Sequence, residues 1–279
     1  MFEKWLIFVL LGGFANIGYS FISRKSLKDS DDALLYSCWF SILRTIPLIP
    51  ILFIDYQFLP SFKNIFFLIL LGLINTVNIF LFMRMHSRTE LSISTIVLRL
   101  RTIWVPLLAF VFLGERLIAN EYLGIVFLFM AAILIASPKR LIFDKSVNTV
   151  FIFSINTSIV TIILKQLAPN NSPTVTALAM SLIPALILPF VVNGNGKNIF
   201  HNWRSKLRSR LGIALFSLIS LYSFIFALKF GEVSKVNALF QSMSMLTVII
   251  GIVVLKERKL LAKKLIGTAL AVIGVLLLT

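Results

Sequence analysis

One cysteine, two histidines and eleven acidic residues are all that 279 positions offer to the chemistries that depend on them. Cys38 forms no internal disulfide, and among its apolar neighbours it reads as a small hydrophobe. Histidines at only two positions, 86 and 201, do not make a metal-binding cluster. No phosphate-binding glycine loop and no nucleophile elbow is present either, so neither enzymatic activity nor a cofactor is expected. Also missing is any polar stretch long enough for a soluble domain between the apolar runs. Charged residues make up only 14% of the chain, hydrophobic ones 58%, and mean hydropathy is +0.96. Soluble domains hold roughly 45–50% apolar residues, so this composition describes an integral membrane protein.

What is abundant is apolar sequence, and it falls into ten runs at about 5–22, 33–54, 62–83, 91–113, 122–137, 147–164, 175–192, 211–228, 236–255 and 265–279. Their continuity predicts helices, because a strand of a membrane barrel would alternate apolar and polar residues. The first run lacks a small-residue cleavage site and reads as a span, not a signal peptide. A net charge of +16 raises the question of nucleic acid. The basic residues lie mainly in short gaps between runs, however, so they read as topology signals and contacts to the lipid bilayer, with no nucleic-acid partner. The gap at 193–210 is the most basic, and Phe200 and Trp203 within it suggest a segment at headgroup level.

The fourth and ninth spans are copies. Ser92, Thr95, Arg99 and Thr102 recur 142 residues later as Ser234, Asn237, Gln241 and Ser244, and Glu115-Arg116 recurs at the same offset as Glu257-Arg258. Gly124 pairs with Gly267 one residue further on; Asn16 pairs with Asn156, and Lys25 with Lys165, at an offset of 140. The predicted fold is therefore all-α and membrane-embedded, with ten transmembrane helices in two repeats: residues 1–137, a linker at 138–145, and residues 146–279. Because five is odd, the two copies enter the membrane from opposite sides, an arrangement common in secondary transporters.

These features resemble the drug/metabolite transporter superfamily, in particular its EamA-type members. The likeness rests on Leu113-Gly114-Glu115-Arg116-Leu117, Tyr122-Leu123-Gly124 and Ala131-Ala132-Ile133-Leu134. It returns in Leu255-Lys256-Glu257-Arg258, Leu265-Ile266-Gly267 and Ile273-Gly274, and is supported by Leu43-Arg44-Thr45 and residues 175–189. The resemblance implies a multi-pass protein of a bacterial or archaeal plasma membrane, monomeric or homodimeric. It also implies a cavity between the halves that opens alternately to each side for a small-molecule substrate.

Candidate binding residues follow from helix geometry. Ser92, Thr95, Arg99 and Thr102, spaced three, four and three apart, share one face, and Ser234, Asn237, Gln241 and Ser244 repeat it. Arg101 lies about 200° round from Arg99 and faces elsewhere. A central arginine costs about 2.5–3.5 kcal/mol to insert and needs a wet cavity or a partner. Arg44 in the second span is either a second cavity cation or a structural one bonded to carbonyls freed at Pro47. No acidic residue lies at the depth of Arg44, Arg99 and Arg101, which favours an anionic or zwitterionic substrate bearing carboxylate or phosphate. Asn75 and Asn78, with Ser217 and Ser220 at the 142-residue offset, are further wall candidates, together with Asn16, Asn156 and Tyr222. His86 is a weak candidate proton carrier. The expected function is secondary transport of such a metabolite; the alternative is a flippase for a lipid-linked phosphate sugar.

Eighteen Lys and Arg fall in the gaps after odd-numbered spans and six on the opposite side, so the positive-inside rule puts both termini outside. The family resemblance implies both inside. The charge count carries more weight here because it acts on this chain directly.

Overall fold

The computed structural model describes residues 4–27, 33–88, 98, 100–136, 145–196, 199, 207–243 and 261–278. Among the described residues there are ten helices: α1 Lys4–Leu27, α2 Ala33–Leu52, α3 Phe62–Arg88, α4 Arg101–Leu113, α5 Ala119–Ala136, α6 Lys145–Leu167, α7 Pro173–Gly194, α8 Leu207–Phe230, α9 Val233–Met243 and α10 Leu261–Leu278. Each overlaps one predicted span, and the rest of the fourth and ninth spans lies largely outside the described residues. Helix is the state these runs must adopt in a bilayer, since it satisfies every backbone polar group within the segment. Of the ten, α1, α2, α3, α6, α7 and α8 are long and apolar enough to cross a membrane by themselves, while α4, α5 and α10 contain shorter apolar stretches.

The ends extend beyond the apolar runs where local chemistry permits. At the start of α7, Ser172 accepts a hydrogen bond from Val175 N at 3.3 Å and Pro173 occupies the first turn, whose N–H groups have no intrahelical partner. Gly114 ends α4 with φ 68°, a left-handed conformation in which glycine carries no Cβ penalty.

The packing shows the two-fold relation of the halves. α1 lies along α8 as α6 lies along α3, α4 contacts α6 as α9 contacts α1, and α2 contacts α8 as α7 contacts α3. Three pairs, α2 with α7, α4 with α9 and α5 with α10, meet their own counterparts. Exchanging each helix for the one five places on maps this set onto itself. The main core is drawn from both halves, with Val9, Leu48, Leu71, Val105, Val160, Leu164, Ile225 and Val236 all buried in one cluster. Outside it, α5 and α10 cross so closely that a Cβ on Gly124 would stand 2.8 Å from Gly274 O, and the reverse contact is also 2.8 Å. Small residues permit such an approach between membrane helices. Residues such as Ile7, Phe14, Leu186 and Leu276 point apolar side chains outward, as a lipid-facing surface requires.

Helix alternation gives the molecule two faces. At one, here the sparse face, α2, α4, α6 and α8 end and α3, α5, α7 and α9 begin; it holds six of the basic residues. The other is the one to which the sequence count assigns eighteen, and is here the basic face. The sparse face is stitched by polar contacts. Asn64 and Asn171 exchange amide hydrogen bonds of 2.9 and 2.7 Å, and Ser172 N donates to Gln57 O at 2.8 Å. Asp55 accepts from Thr174 N at 3.3 Å and from Thr174 Oγ1 at 2.5 Å. The proposed headgroup segment on the basic face lies outside the described residues except at its ends and at Ile199, whose carbonyl accepts from Trp39 Nε1 at 2.9 Å.

Candidate functional site

Arg44 sits where α2, α7, α8 and α3 meet, only 5% exposed. Its Nη2 donates to Met180 O at 2.7 Å, its Nε to Ser181 Oγ at 2.8 Å, and its Nη1 reaches Ser217 Oγ at 3.5 Å. The guanidinium also stands 4.8 Å from the centroid of Phe40. The Met180 carbonyl is available because Pro184, four residues on, has no N–H to donate to it. Asn75 Nδ2 takes the second place on the same oxygen at 2.6 Å. The freed carbonyl thus belongs to the α7 break at Pro184, not to the break at Pro47 suggested by proximity in sequence. All of Arg44's described acceptors are neutral, so its charge has no carboxylate partner among the described residues.

Asn78 lies one turn beyond Asn75, buried, and its Oδ1 has no hydrogen-bond partner among the described residues. The duplicated stripe is visible in part. Asn237 on α9 is fully buried and donates to Arg101 O at 3.2 Å, which joins α9 to α4, while its Oδ1 is also without a partner. Thr102 is buried on α4, and Gln241 is half-buried two turns along α9 from Ser234. Arg99, Thr95, Ser92 and Ser244 lie outside the described residues, as does the side chain of His86. Asn16 on α1 and Asn156 on α6 are half-buried. Tyr222 on α8 donates to Thr174 Oγ1 at 2.6 Å, so it is tied through Thr174 to Asp55.

Glu115, which the sequence marks as half of a repeated Glu-Arg pair, holds the start of another helix. Its carboxylate caps α9, accepting from Val233 N at 2.6 Å, Ser234 N at 3.1 Å and Ser234 Oγ at 2.7 Å. Lys165 at the end of α6 donates to Leu228 O at 2.8 Å, on the last turn of α8, and to Gly231 O at 2.7 Å, just beyond it. Nearby, Lys235 pairs with Glu121 at 2.6 Å and Glu232 at 3.2 Å. No group of three or more His, Cys, Asp or Glu among the described residues has the arrangement of a metal site.

A ten-helix bundle in two inverted halves, with buried cationic and amide groups between them, has the architecture of a membrane transporter. Residues 3–137 and again 146–279 match the EamA-like transporter family. The chain belongs to that family, and so is a multi-pass membrane transporter of the drug/metabolite type. Among solved structures, 28 chains resemble it. One crystal structure, 15% identical, aligns with a TM-score of 0.74 over 97% of this chain and 96% of its own. That likeness shows the fold alone. No curated protein matches the sequence.

Proposed function

We propose that the protein carries a small anionic or zwitterionic metabolite across a bacterial or archaeal plasma membrane by alternating access, without covalent chemistry. The substrate lies between α4 and α9, contacted by Arg99, Gln241, Thr95, Asn237, Thr102 and Ser244. Arg44 and Asn78 extend the site onto α2 and α3, and Asn16, Asn156 and Tyr222 complete its walls. The observation that carries this reading is Arg44, a guanidinium 5% exposed whose described acceptors are all neutral. A buried cation without a counter-charge is expensive, and a carboxylate or phosphate entering beside it supplies the missing charge in a geometry that arginine recognises. The amide oxygens of Asn78 and Asn237, without a partner among the described residues, suit a donor group on the same molecule, which a zwitterion provides.

The test is uptake into proteoliposomes of radiolabelled glutamate, glycine, inorganic phosphate and glucose. Saturable uptake of at least one of the first three, with none of glucose and with a fall of tenfold or more in Arg99→Ala, is the expected result. Uptake of glucose alone, or anion uptake unchanged in Arg99→Ala, would overturn it.

A further inference from the structure

The turn between α8 and α9 is clamped by charges matched to the helix ends that it joins. The carboxylate of Glu115 meets the N–H groups opening α9, where the helix dipole is positive, and the ammonium of Lys165 meets the carbonyls closing α8, where it is negative. Trp5 of α1 closes the third side, since a Cβ on Gly231 would stand 2.9 Å from its ring. Glu115 belongs to the first repeat and the turn to the second, so this contact joins the halves at the sparse face. It also reaches toward the site along a rigid element. Asn237 follows Ser234 by one turn of α9 and Gln241 by two, so the helix anchored by Glu115 is the one that carries the second polar stripe.

We infer that Glu115 is the gating residue of the sparse face: its carboxylate latches the first turn of α9 while that face is closed and releases it when the face opens. The inference rests on the alternating-access reading and is independent of which compound is carried. Glu115 acts through α9 on Asn237 and Gln241, so it is a positioning residue. The sequence gives the opposite face the same residue types, with Glu257 and Ser92 each related to Glu115 and Ser234 by 142 residues.

The latch is tested by cysteine accessibility in nanodiscs, in a Cys38→Ala background. Val236 on α9 and Ala109 on α4 are both fully buried, so Val236→Cys and Ala109→Cys are separate reporters on two walls behind the latch. A membrane-impermeant maleimide is expected to label each slowly. Glu115→Gln removes the charge and weakens the cap, and should speed both about tenfold. Ser234→Ala, which removes one of the three bonds and is the milder variant should Glu115→Gln not fold, should speed both about threefold. Glu257→Gln should speed neither.

Unchanged rates in Glu115→Gln and Ser234→Ala would overturn the inference. So would acceleration at Val236→Cys alone, which is fraying of one helix turn, and so would equal acceleration by Glu257→Gln, which is general loosening. Failure of alternating access itself reads out elsewhere, as absence of saturable uptake by the unaltered protein.

Discussion

The Met180 carbonyl predicts a pattern of stabilities that no single substitution would reveal. Two side chains, Arg44 and Asn75, donate to an oxygen that Pro184 leaves without a helical partner. In Arg44→Met, that oxygen keeps Asn75, and Ser181 Oγ keeps its own bond to Ala177 O at 2.8 Å. Only Ser217 Oγ loses its described partner, a long bond of 3.5 Å, and the loss of charge-assisted bonds of about 1.5–3 kcal/mol each is partly offset by removing a cation that costs about 2.5–3.5 kcal/mol to bury. Taking the two short bonds, the net loss should stay below about 4 kcal/mol, or roughly 8 °C in apparent melting temperature. Asn75→Leu should cost about 1 kcal/mol, since Arg44 still reaches the oxygen. The double variant orphans the carbonyl, and its loss should exceed the sum of the singles by about 1–3 kcal/mol. Adding Pro184→Ala then restores an N–H at the position where an unbroken helix would supply one. Its benefit should therefore be larger in the double variant than in the unaltered protein, where the oxygen is already occupied. Thermal scans of detergent-purified protein by intrinsic fluorescence, at one fixed rate, measure all of these. If the singles add, or if Pro184→Ala gives the same increment in both backgrounds, the shared carbonyl is not the organising contact.

Three further outcomes are expected. Gly124→Val should destabilise by about 1–3 kcal/mol, because its branched side chain would stand against the Gly274 carbonyl and force α5 and α10 apart; a smaller loss in Gly124→Ala on the same thermal scan would confirm the steric cause. Partial burial lowers the pKa of Lys235, but its bonds to Glu121 and Glu232 outweigh burial and hold it above the ordinary 10.5. Its contribution to stability should therefore be fully present below pH 10.5 and be lost as pH rises further, a fall absent from Lys235→Met in scans from pH 8 to 12. A protease added to sealed cells should remove a C-terminal tag, as the charge count requires, and a protected tag would reverse the orientation.

The order of the helices was legible because lipid leaves an apolar run of this length one backbone solution. The two-fold was legible in Ser234, Asn237 and Glu257, since each keeps its distance from a partner in the first half. Arg44 was identifiable as an unusual buried cation, yet the carbonyl that it binds lies 136 residues away. Spacing within α2 pointed to Pro47; the fold supplied Pro184 instead, because which proline break faces the arginine depends on how α2 meets α7. Asn75 and Ser217 were marked as polar wall residues from their 142-residue separation, and both converge on the Arg44 junction. Glu115 stands out in the sequence only as half of a repeated Glu-Arg pair. A signal was present in the pairing of a copied Glu with a copied Ser, but an N-cap supplied from another helix has no local spacing to betray it. Asp55 left no such trace, and its link through Thr174 to Tyr222 emerges only when the ends of α2 and α7 come together.

The self-mapping set of helix contacts bears on energy as well as form. Under the alternating access proposed above, a conformation open to the opposite face would be assembled from the same kinds of helix–helix contact with the roles of the halves exchanged, so the backbone frame would give little preference to either. The equilibrium is then left to the positions where the copies differ, among them Arg99 against Gln241 and the unevenly distributed surface charge. In that reading the side chains in which the halves differ, and not the shared backbone frame, decide which way the protein faces at rest.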